Sequence, residues 1–171
     1  GDLHGGSHIW IMERHEGRIR VLLQKRSDDK DSFPGCYDCS CAGHVDAGES
    51  FISTAVRELS EELSVKADEA ELEFLFKQRV GGEYIFYGER FANNEVNFVY
   101  LLRKHVDIGT LAFQREEIQG LCWKDAEEVL AILRRQDARE AAGETDVYAP
   151  GSYCIWTHEF ERVLEMVKRS S

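Results

Sequence analysis

Hydrophobic positions change their period several times along this chain, and each change predicts an element. Residues 8–12 and 18–24 are short apolar runs, and the polar stretch between them ends at Gly17, which predicts a hairpin. The polar segment 27–35 closes on Pro34-Gly35, a turn signal, and 37–42 then predicts a short strand. Over 50–63 the period becomes helical: Phe51, Ala55, Leu59 and Leu63 recur at every fourth position, with Ile52 and Val56 widening the stripe. Residues 71–80, 84–91 and 96–102 alternate like three strands, with Gly81-Gly82 and 92–94 as turns. A short strand at 121–123 leads into an amphipathic helix over 125–135. A last helix is predicted over 155–169, with Trp156, Phe160, Val163, Leu164 and Val167 on one side. Residues 141–152, carrying Gly143, Pro150 and Gly151, read as the longest loop. Strands interspersed with three helices, with no repeat and no linker, predict one mixed α/β domain over 1–171.

A length of 171 residues fits one domain with a sizeable core, and 43% hydrophobic content is that of a globular chain. No apolar run approaches the ~20 residues of a membrane span, and no signal-peptide pattern opens the chain. The expected location is therefore cytoplasmic, with no membrane partner. The chain opens at Gly1 without Met, so preceding residues are expected to have been trimmed. Acidic side chains outnumber basic ones 32 to 21, for a formal charge of −11. That argues against a nucleic-acid polymer as partner, because neutralising its phosphates requires lysine and arginine. It leaves room for a small phosphorylated ligand held through a cation. Of five cysteines, Cys36, Cys39 and Cys41 form a C-x2-C-x-C cluster, but no second ligand pair completes a zinc site. Cys39 and Cys41, two apart, are expected to share one strand face as reduced, packed thiols.

Glu58, Glu61 and Glu62 stand at i, i+3 and i+4 of the predicted helix, so their carboxylates project from one side. Glu62 falls nearest the apolar stripe, where burial and like charge both oppose ionisation. Such a run also reads as a solvated acidic face. Its surroundings favour chemistry. Arg57 reaches Glu61 at i+4, Glu49 stands just ahead of the helix, and the loop from Gly43 to Gly48 lets backbone approach a ligand closely. Carboxylates with a backbone carbonyl make a hard-oxygen site suited to Mg²⁺, which keeps water positions open for substrate phosphates.

The stretch GHVDAGESFISTAVRELSEELSV resembles the Nudix box, G-x5-E-x7-R-E-U-x-E-E-x-G-U, where U is aliphatic. Gly43, Glu49, Arg57, Glu58, Leu59, Glu61, Glu62 and Val65 occupy its positions. Ser64 stands where the family has glycine, at a cost of ~1 kcal/mol for a left-handed turn. The resemblance implies an α/β; Nudix α/β/α sandwich with a mixed β-sheet, the box helix on one side and the C-terminal helix on the other. It implies Mg²⁺-dependent hydrolysis of a diphosphate bond in a nucleoside-diphosphate-linked or related small molecule, with Mn²⁺ as a substitute. Glu58, Glu61 and Glu62 would ligate metal, and Gly43 would add its carbonyl oxygen. Arg57 would orient the glutamates, and Glu49 would brace the loop through Arg57. Family members differ in the general base: here it is Glu58 or one of Glu95, Glu116 and Glu117. Homodimers are common in the family.

The similarity extends over residues 7–123. The run QKRSDDKDSFPGCYDCSCAGHVDAGES looks like the branch holding isopentenyl-diphosphate isomerase and its hydrolase relatives. The isomerase places a catalytic cysteine immediately before a Gly-His pair. Here Ala42 precedes Gly43-His44, and Cys41, one position off, would face the other side of a strand. Of the isomerase's two glutamates spaced two apart, the second alone is kept, as Asn93 and Glu95. Its metal-site histidines are matched in part by His4, His8 and His44. These departures favour hydrolysis; the alternatives are the isomerase and a non-catalytic Nudix-fold binding module. His44 reads as a phosphate contact or a structural histidine, and His158 as a surface or capping residue. Tyr84, Phe86 and Tyr87 read as strand aromatics without an assigned role. Specificity is expected from 81–94 and 139–152.

Overall fold

Consecutive residues of the first strand, β1 (His4–His15), are buried on opposite sides of a sheet, so its apolar run is nearly continuous. Ile9 and Ile11 enter one core, Trp10 and Met12 the other. The computed structural model describes residues 3–86 and 89–170; the side chains of 82–93 lie outside that description. The other strands are β2 (Arg18–Arg26), β3 (Tyr37–Asp38), β4 (Cys41–His44), β5 (Leu72–Phe86), β6 (Glu89–Arg103) and β7 (Ile118–Asp125). The order is β3-β2-β1-β6-β5, with β4 on β1 and β7 on β2. β1 and β6 run parallel and the other pairs antiparallel, which makes the sheet mixed.

Helix α1 (Phe51–Leu63) covers one face, burying Ala55, Leu59 and Leu63 against Ile9, Leu22 and Tyr100. Helices α2 (Ala126–Ala141) and α3 (Thr157–Arg169) cover the other, where Leu133, Phe160 and Val163 meet Trp10 and Leu101. The α/β/α sandwich is thus a consequence of strands that are apolar on both faces and helices that are apolar on one.

Register sets the site. β1 and β2 pair only through Met12–His15 and Arg18–Val21. Beyond that they splay, and β3 on β2 with β4 on β1 fills the fork. Ser40, fully buried between them, stitches the fork: its hydroxyl accepts from Ile11 N–H at 2.8 Å and donates to the Leu22 carbonyl.

Several sequence expectations are corrected. The three strands predicted over 71–102 are two 15-residue strands, and Gly81 and Gly82 lie within β5, paired with Asn94 and Asn93. Glycine adopts extended backbone as readily as a turn when a partner strand supplies the hydrogen bonds. The turn connecting β5 and β6 lies outside the described residues, as do the side chains of Tyr84, Phe86 and Tyr87. The strand predicted over 37–42 is two, β3 and β4. Because Cys39 and Ser40 interrupt it, Cys39 packs in the core with Trp10 and Cys41 in the core under α1, on opposite faces. All five thiols are free. The C-terminal helix begins at Thr157, so Trp156 precedes it.

Ser64 ends α1 at φ 57°, ψ 27°, the left-handed conformation the family reserves for glycine. Its N–H closes the helix on Leu59 and Ser60 carbonyls, and its hydroxyl donates to the Ala112 carbonyl. That hydrogen bond, worth about 1 kcal/mol, offsets the strain. Ser64→Gly is therefore expected to shift Tm by less than about 4 °C; a melt displaced by 8 °C would show that one of the two terms dominates.

Candidate active site

Ser50 caps α1: its hydroxyl accepts from Ser53 N–H at 3.1 Å, and Ser53 Oγ accepts from Ser50 N–H at 3.1 Å. The helix therefore starts within a few residues of β4, and its box face returns over Gly43. A Cβ on Gly43 would stand 2.3 Å from Glu58 Cγ and 2.7 Å from Glu58 Oε1. Glycine is required there by the close approach of Glu58; Gly43 is absent from the residues with positive φ.

Arg57 is the hub of the carboxylates. Nε and Nη2 grip Glu49 in a bidentate pair at 2.9 and 3.0 Å, and Nη1 reaches Glu58 Oε1 at 2.9 Å and Glu61 Oε2 at 3.1 Å. The Arg57 hydrogen bonds hold the Glu49 carboxyl below its usual pKa. Burial pushes Glu58 up despite the neighbouring guanidinium. Glu62 receives Gln24 Nε2 at 2.9 Å and the Cys41 thiol at 3.7 Å. Burial, reinforced by the Glu58 charge, nevertheless raises it to about 7. Two carboxyls whose ionisation burial opposes, beside a backbone carbonyl, make a site that a cation would stabilise.

Gly43, Glu58, Glu62 and Glu95 line one cleft of about 530 Å³, with His44 at its exposed side. Asn97, fully buried, also reaches it, and its Oδ1 has no hydrogen-bond partner. The space beside Gly6 is shared by Asn97 Oδ1, 2.2 Å from where a Cβ would stand, and the Gly43 oxygen at 3.8 Å. Hard oxygens of this kind suit a divalent cation. Among the described residues no group of three or more histidine, cysteine, aspartate or glutamate side chains is placed to hold a metal ion, so a cation here would draw on backbone and amide oxygens as well.

The other sequence candidates divide. Glu61 does not line the cleft; its side chain is 55% exposed and tied to Arg57. Glu117 lines the cleft but is ion-paired with Lys30, while Glu116 is exposed away from it. His158 is exposed on α3. Cys41 is fully buried, and burial drives its thiol pKa well up, which leaves it a poor nucleophile. Sequence reasoning missed Gln24, Asp38 and Asn97, and it gave His8 no role beyond a partial match. None sits in a motif; β2, β3, β6 and β1 bring them together through strand pairing.

The family follows from these features. The NUDIX domain model matches residues 3–145, and the chain belongs to that family. It is 40% identical over 141 residues to Nudix hydrolase 3 of Arabidopsis thaliana, covering 80% of this chain and 18% of that protein. It is 33% identical over 156 residues to isopentenyl-diphosphate Delta-isomerase 1 of Mus musculus, covering 82% and 63%. The chain thus spans less than two thirds of these curated relatives. Among solved structures, a Caenorhabditis elegans Ap4A hydrolase binary complex superposes with TM-score 0.57 at 17% identity, covering 97% of this chain and 98% of that one, a likeness of fold.

Proposed function

We propose that this chain catalyses Mg²⁺-dependent hydrolysis of a diphosphate bond in a nucleoside-diphosphate-linked or related small molecule. The observation that most supports this is the meeting of Gly43, Glu58 and Glu62 in one cleft, with Arg57 held against them by Glu49. Bound there, Mg²⁺ would neutralise phosphate charge and lower the pKa of the attacking water, with Mn²⁺ as a substitute. Gly43, Glu58 and Glu62 would hold it; Glu61, on the same helix but outside the cleft and tied to Arg57, would have to release Arg57 and turn inward to serve as the third proposed carboxylate ligand. Arg57 keeps Glu58 aimed while Glu49 takes up the rest of the guanidinium.

Glu95 is the proposed general base. Its described hydrogen bond is a long one, from Asn97 Nδ2 at 3.4 Å, whereas Glu117 is committed to Lys30. A base must be free to take a proton. Among the described residues no helix is long and apolar enough to cross a membrane. The proposed setting is cytoplasmic, and the proposed partner is a small diphosphate compound in place of a nucleic-acid polymer.

A chromatographic screen for the phosphomonoester products, or for the phosphate or pyrophosphate released where the substrate ends in a diphosphate or triphosphate, tests this over nucleotide sugars, dinucleotides, coenzyme A, damaged nucleotides and isoprenoid diphosphates, with and without Mg²⁺. Metal-dependent hydrolysis is expected of at least one class, and Glu95→Gln should lower kcat by about 10²-fold with KM little changed. Isomerisation of isopentenyl diphosphate without phosphate release would overturn the proposal.

A further inference from the structure

Two cavities meet at His8. One is the carboxylate cleft; the other, of about 250 Å³, is walled by Phe33, Tyr148, Ile155 and Trp156. His8 lines both, at a point on β1 paired with Ala42, one residue from the box. Its side chain is 17% exposed.

Behind the ring stands a buried carboxylate. Glu159, on α3 and 3% exposed, accepts from His8 Nδ1 at 2.8 Å and Trp10 Nε1 at 3.2 Å, and also pairs with Gln78 Nε2. Burying a carboxylate is costly, and an apolar residue at this position of α3 would pack without that cost. The three donors offset it, and they fix the imidazole with Nδ1 turned inward. Nε2 is left without a protein partner among the described residues, although it is not sealed from solvent. Burial pulls the His8 pKa down, but the charge and hydrogen bond of Glu159, with Asp38 and Glu95 behind, raise it overall. With Nδ1 committed to Glu159, Nε2 donates in the doubly protonated ring, the form that a carboxylate on one side and a diphosphate on the other both favour.

The cleft's other cations are largely taken up. Arg57 serves Glu49, Glu58 and Glu61, Lys30 serves Glu117, and Arg26 is paired with Asp38 at 3.1 Å. A diphosphate that reaches from the glutamates toward the aromatic pocket passes His8.

We infer that His8 donates a hydrogen bond from Nε2 to a non-bridging oxygen of the substrate's diphosphate, and that Glu159 is the positioning residue that holds the ring for it. This rests on the diphosphate reading above and adds a residue outside the Nudix box. The organic substituent then lies in the aromatic pocket, with the scissile linkage over Glu58 and Glu62.

Inorganic pyrophosphate in saturating Mg²⁺ is the probe. Wild type is expected to bind it, His8→Gln about tenfold more weakly, and Glu159→Gln to an intermediate extent. In the wild-type protein the His8 ring-proton NMR resonance should move on adding pyrophosphate and stay with Mg²⁺ alone, a readout that needs no variant to fold. With a substrate from the screen, His8→Gln should raise KM more than it lowers kcat. Wild-type binding with unchanged His8→Gln affinity, or a ring resonance indifferent to pyrophosphate, would remove His8 and leave the proposed function standing. Wild type that binds no pyrophosphate in Mg²⁺ would sink both.

Discussion

Glu62→Gln is expected to lower the rate of diphosphate hydrolysis by about 10³-fold while making the metal-free protein more stable at pH 8. Both halves come from burial. The Glu62 carboxyl is pushed up to about 7 because it sits in the wall of the cleft with the Glu58 charge beside it, and Gln24 relieves only part of that. In the unfolded chain the same carboxyl titrates at its ordinary value near 4.5. Between those two values the folded protein keeps a proton that the unfolded chain has released. The stability held by protonated Glu62 is therefore complete below about pH 4.5 and is lost as pH rises through about 7. By pH 8 the ionised carboxylate costs up to about 3 kcal/mol.

A glutamine keeps the shape and the Gln24 contact without that charge. At pH 8 without metal, Tm of Glu62→Gln should exceed wild type by several degrees, and the gap should close toward pH 5. Mg²⁺ should reverse the order if, as proposed, the ion binds the ionised carboxylate in the folded state alone. Melting curves at pH 5 and 8, with and without Mg²⁺, check this alongside the hydrolysis assay. A variant that retains near-wild-type turnover in saturating Mg²⁺ would show that the box helix is not the site. Greater stability with lost activity is the pattern of a charge retained for function.

The difference between what the chain's pattern reveals and what it hides is one of range. Helix α1 was legible because its information is local: the stripe Ala55, Leu59 and Leu63 repeats at one helical turn, and Glu58, Glu61 and Glu62 follow from it. The apolar run of β1 and the three helices were likewise readable from period and polarity, whereas the burial of β1 on both faces appears only once helices cover the sheet. Gly81-Gly82 misled because a glycine pair signals a turn only if no partner strand claims it, and Asn93 and Asn94 claim it here. Cys39 and Cys41 misled because the two-residue rule presumes an unbroken strand, and Ser40 breaks it to stitch the fork. His8 and Glu159 are 151 positions apart, so no spacing rule connects them. Their pairing exists only once α3 has packed on the sheet.

Gly43 belongs to both categories, which makes its substitution the sharper test. The pattern marks it as the first residue of the box, and general experience of glycine suggests a turn. The geometry gives another reason: Gly43 is paired with Ser7 in β4, and only the space for a Cβ is missing. In Gly43→Ala the methyl would meet Glu58 Cγ at 2.3 Å and Cδ at 2.5 Å, so the Glu58 side chain must swing away and release Arg57 Nη1. Its side chain is 19% exposed, so the swing leads toward solvent and the fold should persist, with Tm within about 4 °C of wild type. Displacing one carboxylate by an ångström or more should cost about 10²-fold in kcat/KM. The cause can be isolated. In a Glu58→Ala background the clashing atoms are gone, so adding Gly43→Ala should change the residual rate by less than about twofold, a strongly non-additive cycle. If the two losses multiply, Gly43 acts through its carbonyl or its backbone independently of Glu58. Near-wild-type activity in Gly43→Ala alone would mean that the close approach of Glu58 to this strand is not how the cleft holds its carboxylate.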